Sequence, residues 1–375
     1  MQQTGVVLTG GGARAAYQVG VLKAISEMYP DWAHPFQQIV GTSAGAINAV
    51  AIGGGGGRFR HNIAKLEGIW SKLNIDQIYK SHSYDILRNL TEVARLLLAD
   101  GQGEKPLSLL NNSPLRQLLE KELDFDTLHQ TIADNRISAI GVNACGYSTG
   151  QNICFFEANE KLANWTQGQR AGAHTQLNLD HVMASSAIPT LFQPVKINRE
   201  YFGDGVTRQM AHISPVLRLG AEKVLVIGVS ANHVCFPQRP RQPSVPGFAQ
   251  VLAHVFNGMF LDTLDYDIDR LRQVNGLLEL VPEKKLGQAG LDLKPVRLLE
   301  ISPSADIGEI ATHYIDSLPL VLRKLLGANV GSYTPGATLA SYLLFDHRFC
   351  SALISLGYKD GQAQARQIES FFADS

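Results

Sequence analysis

The sequence predicts an α/β fold, a mainly parallel sheet with helices on both faces, followed by a mostly helical C-terminal extension. Three observations point there. Apolar runs too short to be helices alternate with stretches at helical spacing along the first fifty residues, and the first two of these runs end in glycine-containing turns. A later pair of apolar runs flanks a turn, as a hairpin does. The 375 residues, 45% hydrophobic and 18% charged, suffice for a full core.

Residues 5–9 are an apolar run ending in three glycines and read as a buried strand. From Ala13 the spacing of Ala16, Val19, Leu22 and Ile25 is helical until Pro30. Residues 36–40 form a second short strand, Gly41-Thr42-Ser43 a turn, and 44–52 an Ala-rich helix. The glycine run 53–57 orders at high entropic cost and reads as a mobile connection. Charged helical sequence extends to about residue 128; within it 100–105 is polar and reads as a surface loop or lid segment. Residues 137–144 and 153–157 flank the turn of a hairpin, 180–187 form a helix stopped by Pro189, and 197–202 lead as a strand into Gly203-Asp204-Gly205. Further strands are expected at 224–230 and 296–301. A helix over 248–275 carries Val251, Leu252, Val255, Phe256, Phe260, Leu261 and Leu264 at core-packing spacing, and the last forty residues look helical. The domain reading is a core over 6–215 and an extension over 216–375 that completes the sheet and covers the site.

Net charge is −1, which excludes a broad electrostatic pull toward nucleic acid or anionic membrane. Cys145, Cys154, Cys235 and Cys350 have neither disulfide-framework nor zinc-ligand spacing and read as reduced thiols of a cytoplasmic protein. The N-terminal residues lack a signal-peptide pattern, and no apolar run approaches the ~20 residues of a membrane span. A lipid partner would therefore be met transiently, at a membrane surface or as a free amphiphile. No calcium loop or compact acidic cluster appears, so neither metal nor cofactor is expected. The sequence carries no signal for oligomeric state.

Two short motifs carry chemistry. Gly41-Thr42-Ser43-Ala44-Gly45 fits the G-x-S-x-G elbow, a sharp strand-to-helix turn that exposes a serine oxygen while small flanking residues let strand and helix approach. The plainer role for Ser43 is a helix N-cap. Gly10-Gly11-Gly12, followed by Arg14, ends the first strand and opens a helix, a geometry that converges backbone N–H groups on an anion. That anion is either a phosphate or the oxygen of a tetrahedral acyl intermediate. Ala13-Arg14 lacks the Lys-Ser/Thr of a phosphate loop, and Ala15 stands where the dinucleotide pattern needs its third glycine. A serine nucleophile needs a base. Asp204 between glycines can turn toward a neighbour, although Asp-Gly alone is a common hairpin turn.

In the order glycine loop 10–15, elbow at Ser43, and Asp204-Gly205, with Ala184-Ser185-Ser186-Ala187-Ile188-Pro189 between the last two, the chain resembles the patatin-like phospholipases from about Val6 to Pro215. A looser likeness continues through 261–275 and 341–346. The resemblance implies a three-layer α/β/α fold and a Ser–Asp dyad without a catalytic histidine. Ser43 would attack a lipid ester and Asp204 would accept its proton. The loop Gly10, Gly11 and Gly12 would hold the oxyanion, with Arg14 adding electrostatic support and Gly41, Gly45 and Gly205 supporting the turns. Ala15 and Val206 depart from the family's usual small residues, which bears on loop shape and on access to Asp204.

Three other functions fit parts of the pattern. A Ser–His–Asp hydrolase would draw on His174, His181 or His212, but the elbow follows only two strands, unlike the common α/β-hydrolase order. An acyltransferase would use the same dyad with an acceptor other than water. A non-catalytic anion- or nucleotide-binding protein would use the glycine loop alone.

Overall fold

Hydrophobic residues on alternate faces of the strands bury both sides of one sheet. Val6, Leu8, Ile39, Ile140, Val142, Leu225 and Ile227 join the larger core on one face. Val7, Val40, Ala139, Cys154, Val224 and Val226 join a smaller core on the other. The computed structural model describes residues 3–98, 108–160, 162–231, 247, 250–251, 254–255, 258, 262–288 and 293–373. The expected loop at 100–105, Cys235, and Leu252, Phe256, Phe260 and Leu261 lie outside them.

The strands are β1 (Thr4–Leu8), β2 (Gln38–Thr42), β3 (Ala139–Gly146), β4 (Asn152–Ala158), β5 (Trp165–Gln167), β6 (Arg170–His174), β7 (Val195–Ile197), β8 (Glu200–Asp204), β9 (Lys223–Ile227) and β10 (Arg297–Ile301). Their order is β10-β9-β1-β2-β3-β4-β6-β5, with β8 pairing β3 and β7 pairing β8. From β10 through β3 every pairing is parallel. β3–β4 is the expected hairpin, antiparallel. Both β9 and β10 come from beyond residue 215, so the C-terminal part of the chain supplies one edge of the sheet.

On the larger-core face lie α1 (Ala16–Met28), α2 (Ala44–Gly53) and the C-terminal helix His347–Ala363, which packs along α1 and ties to it through Tyr17 Oη to Asp360 Oδ2 at 2.9 Å. On the opposite face helix Asp262–Leu280 inserts Leu264 and Ile268. Val251 and Val255, ahead of it in the chain, are exposed and not the core residues their spacing suggested. The layers are therefore helix, sheet, helix.

Three local expectations shift. β2 sits two residues later than 36–40, because pairing with β1 runs through Gly41, while Phe36 turns into the core against Phe59. The strand expected over 197–202 is a hairpin instead. The chain reverses at Asn198, at φ +55°, a left-handed conformation that asparagine tolerates better than most residues, so β7 and β8 pair antiparallel. The glycine run at 53–57 is a short connection pinned by Asn62 Nδ2 to Gly55 O at 2.9 Å.

Candidate active site

β2 runs straight into Ser43, whose φ of 57° and ψ of −130° are unfavourable for any residue with a side chain. The strain holds because strand and helix close around the turn. A methyl group on Gly45 would lie 2.2 Å from Leu8 O, and one on Gly41 would lie 2.3 Å from Gly45 O, so neither position accepts a side chain. Ser43 has no capping hydrogen bond to α2, so the N-cap role does not account for it.

The glycine loop stands beside this turn. A methyl on Gly10 would lie 3.0 Å from Ser43 Cβ and 2.4 Å from Val206 Cγ2, which shows how tightly the loop, the elbow and the Asp204 segment converge. Gly12, at φ +55°, has the carbonyl of Tyr342 where a Cβ would be, 2.2 Å away. Among the described residues, the N–H groups of Gly11 and Gly12 find no acceptor. Arg14 points elsewhere. Its Nε donates to Ser341 Oγ at 2.7 Å, its Nη2 donates to Thr338 O at 3.2 Å, and the guanidinium stacks on Tyr342 at 4.1 Å. Arg14 therefore clamps the loop to helix Pro335–Leu343 and does not project toward Ser43.

Asp204 ends β8, opposite Ala144 of β3, and is 1% exposed. Its Oδ1 accepts the Val206 N–H at 3.0 Å. Burial pushes the carboxyl up to about 7, while the Ser43 hydroxyl and the Val206 N–H pull it down. The Ser43 interaction is looser than a full hydrogen bond, since Asp204 Oδ2 has no partner at standard geometry among the described residues; pairs of this kind in enzymes are often long before substrate binds. Gly205 lets the segment turn against Asn143, and Asn152 Nδ2 holds Gly205 O at 2.6 Å.

The segment from Ser185 to Ala187 joins nucleophile and carboxylate. Ser185 Oγ accepts the Ser43 N–H at 2.8 Å and donates to Asn143 O at 2.6 Å. The Asp204 N–H donates to Ala187 O at 2.9 Å. Sequence reasoning valued this segment only for its likeness to the family; the signal lay in the adjacent serines at the end of helix Leu179–Ser185. Ser185→Ala leaves the Ser43 N–H and the Asn143 carbonyl unpartnered, so melting should show a loss of about 1–3 kcal/mol. Ester turnover should fall with it, and Ser185→Thr, which keeps a hydroxyl, should restore part of the rate.

The three histidines considered above stand apart from the pair. His181 Nδ1 accepts the Asn178 N–H at 3.1 Å, His212 Nε2 lies 2.9 Å from Thr263 Oγ1, and His174 is exposed on β6. None of them contributes to the pKa of Asp204. Among the described residues no group of three or more His, Cys, Asp and Glu is placed to hold a metal.

From Ser43 a cavity of about 660 Å³, mouth included, extends between α2, helix Phe59–Trp70 and helix Ser113–Glu122. Its walls include Ile47, Leu66, Trp70, Leu119, Ile188 and Phe345, and Ser186 also lines it, with a hydroxyl that has no partner among the described residues. No helix among the described residues is long and apolar enough to cross a membrane.

Fold and site together define a class: an α/β protein with a left-handed serine at a strand-to-helix turn, a buried aspartate beside it and an apolar cavity behind. The chain belongs to the patatin-like phospholipase family, whose model matches residues 6–217, more than half of its 375 residues. No curated protein sequence matches it. Solved structures similar to it include VipD from Legionella pneumophila, 14% identical, with 99% of this chain and 67% of that one covered and a TM-score of 0.42. Human GIVD cytosolic phospholipase A2 in complex with methyl gamma-linolenyl fluorophosphonate is 11% identical, with 100% and 59% covered and a TM-score of 0.45. The chain thus spans between 59% and 67% of the length of these two proteins.

Proposed function

We propose that this protein is a serine lipid acyl hydrolase, a phospholipase A or lysophospholipase-like esterase, that works through a Ser43–Asp204 dyad and an acyl-enzyme. The observation that carries the proposal is a strained, glycine-flanked serine beside a buried carboxyl on the wall of an apolar cavity. An ester that threads its acyl chain into the cavity brings its carbonyl carbon to Ser43 Oγ. As the C–O bond forms, the hydroxyl proton passes to Asp204, whose elevated pKa suits it to accept a proton near neutral pH. The N–H groups of Gly11 and Gly12 stabilise the oxyanion, with the Gly10 position keeping the loop close. Collapse of the tetrahedral intermediate breaks the ester C–O bond, and Asp204 returns the proton to the departing alkoxide. Water then repeats the sequence on the acyl-enzyme, giving up a proton to Asp204 and releasing the fatty acid and free Ser43.

An apolar cavity is a poor seat for a nucleotide phosphate, which favours the oxyanion role for the glycine loop over anion storage. Cys145, Cys154 and Cys350 are buried free thiols, which suits a cytoplasmic protein that meets lipid transiently at a membrane surface. A fluorophosphonate should add mass at Ser43, and acyl esters should be hydrolysed. A competing alcohol acceptor supplied with the ester separates hydrolysis from acyl transfer, because transfer would yield the new ester in place of fatty acid. Intact protein that neither labels nor turns over any acyl ester would sink the proposal.

A further inference from the structure

We propose that a second, smaller pocket, on the sheet face opposite the Ser43 cavity, is a binding site for a small carboxamide, held by the side-chain amide of Gln209.

The pocket has a volume of about 240 Å³, mouth included, and shares no lining residue with the Ser43 cavity. Side chains alternate along a strand, so Asn152, Cys154 and Phe156 of β4 share one face. Cys154 and Phe156 pack in the smaller core, whereas Leu66, Trp70 and Leu119 around the Ser43 cavity pack in the larger one. β4 contributes Asn152 and Cys154 to the pocket, β5 contributes Trp165, and β6 contributes Arg170, the ladder partner of Asn152. The remaining wall is Gln209, Met210, Ala211 and Pro215. The pocket therefore abuts the Gly205–Arg208 turn that follows Asp204. Asn152 Nδ2 donates to Gly205 O at 2.6 Å, and the Gln209 N–H donates to Val206 O at 3.2 Å.

Gln209 gives the site its chemistry. The residue is 2% exposed, yet neither Oε1 nor Nε2 has a hydrogen-bond partner among the described residues. A buried amide is costly to leave unpaired, so its partners have to come from the pocket that it lines. The amide presents an acceptor and a donor side by side. Another amide answers both at once, with its N–H donating to Oε1 and its C=O accepting from Nε2.

Water and carboxylate fit less well. A buried water takes ~3 hydrogen bonds, whereas Cys154, Trp165, Met210, Ala211 and Pro215 offer mainly apolar contact, which suits a short alkyl body. A carboxylate would set an oxygen against Gln209 Oε1. Arg170, the cation on the wall, is already engaged. Its Nη2 donates to Gln167 Oε1 at 3.3 Å, and its charge acts on the Asp267 carboxyl, which burial raises and the Ile213 N–H and Arg170 draw down. A neutral ligand leaves that arrangement intact.

The test is a titration of the whole protein with propionamide, followed by NMR of the methionine methyl groups. Met210 lines the pocket and is 73% exposed, so Met210→Leu identifies its signal among the five methionines. Propionamide should shift the Met210 methyl saturably. N,N-Dimethylpropionamide, which has no N–H for Oε1, and propionate, which presents only acceptors, should each bind about tenfold more weakly. This ranking is read on wild-type protein and needs no variant to fold. Gln209→Met removes an amide without partners, so it should melt no lower than wild type while weakening propionamide by at least about tenfold. The absence of a saturable shift with propionamide leaves water as the occupant and overturns the site. Propionate binding as tightly as propionamide, or undiminished propionamide binding in folded Gln209→Met, overturns it equally. Because the readout is binding on the opposite face of the sheet, the result is independent of whether Ser43 hydrolyses esters.

Discussion

Ser43→Ala should lower ester turnover by about 10⁴- to 10⁶-fold, the loss seen when a serine nucleophile is removed from a dyad or triad. The same change should abolish fluorophosphonate labelling. So large a loss is expected because the proposed elbow sets one hydroxyl on the cavity wall, and the neighbouring hydroxyls are not placed to replace it. Ser185 is committed to the Ser43 N–H and the Asn143 carbonyl, while Ser186 faces the cavity but sits in no elbow. Relief of backbone strain predicts a second outcome. Ser43→Gly should be at least as stable as the wild type, because glycine adopts φ near +57° without penalty, and it should be equally inactive. Stability paired with inactivity distinguishes a strained functional serine from a structural one. Full hydrolysis by Ser43→Ala would remove the nucleophile assignment.

Asp204→Asn should lower kcat/KM by about 10²- to 10⁴-fold, the contribution of a general base, and should remove the main pH dependence of the reaction. In the wild type the base acts only when ionised. With its pKa pushed up to about 7, kcat/KM should therefore rise about tenfold per pH unit in acid and level off above about pH 7. Stability should run the other way. The carboxyl's folded pKa lies above its unfolded value near 4, so the native state holds the proton more tightly. The resulting stabilisation is complete below about pH 4, is lost as pH rises through about 7, and amounts to a few kcal/mol at most. Asp204→Asn carries no buried charge, so its margin over wild type in urea unfolding should be wider at pH 8 than at pH 5. A flat wild-type pH–rate profile between pH 5 and 8 would remove Asp204 as the base.

The first two strand–turn–helix units and the later β3–β4 hairpin were legible because their signals are local. An apolar run that ends in glycine is a strand edge whatever surrounds it, and Gly41 and Gly45 flank the serine at a fixed spacing. The segment leading to Asp204 misled for the opposite reason. Residues 197–202 have strand composition, but a left-handed Asn198 folds them into a hairpin, and that conformation is settled by β8 pairing with β3. Arg14 misled as well. Its place after three glycines suggested a charge for the oxyanion, whereas Ser341, Thr338 and Tyr342, more than 320 residues away in sequence, take up its guanidinium.

Residue type and short-range order alone pointed to the family and the layered α/β class and nominated the serine and aspartate proposed as the dyad, since these depend on motifs a few residues long. Their juxtaposition depended on the assembled sheet, which sets β8 antiparallel to β3 so that Asp204 stands across from the end of β2. So did the elevated carboxyl pKa, which arises from burial, and the Ser185 bridge. The apolar cavity beside Ser43 was beyond any local signal, because its walls come from helices that meet only when they pack on one face of the sheet.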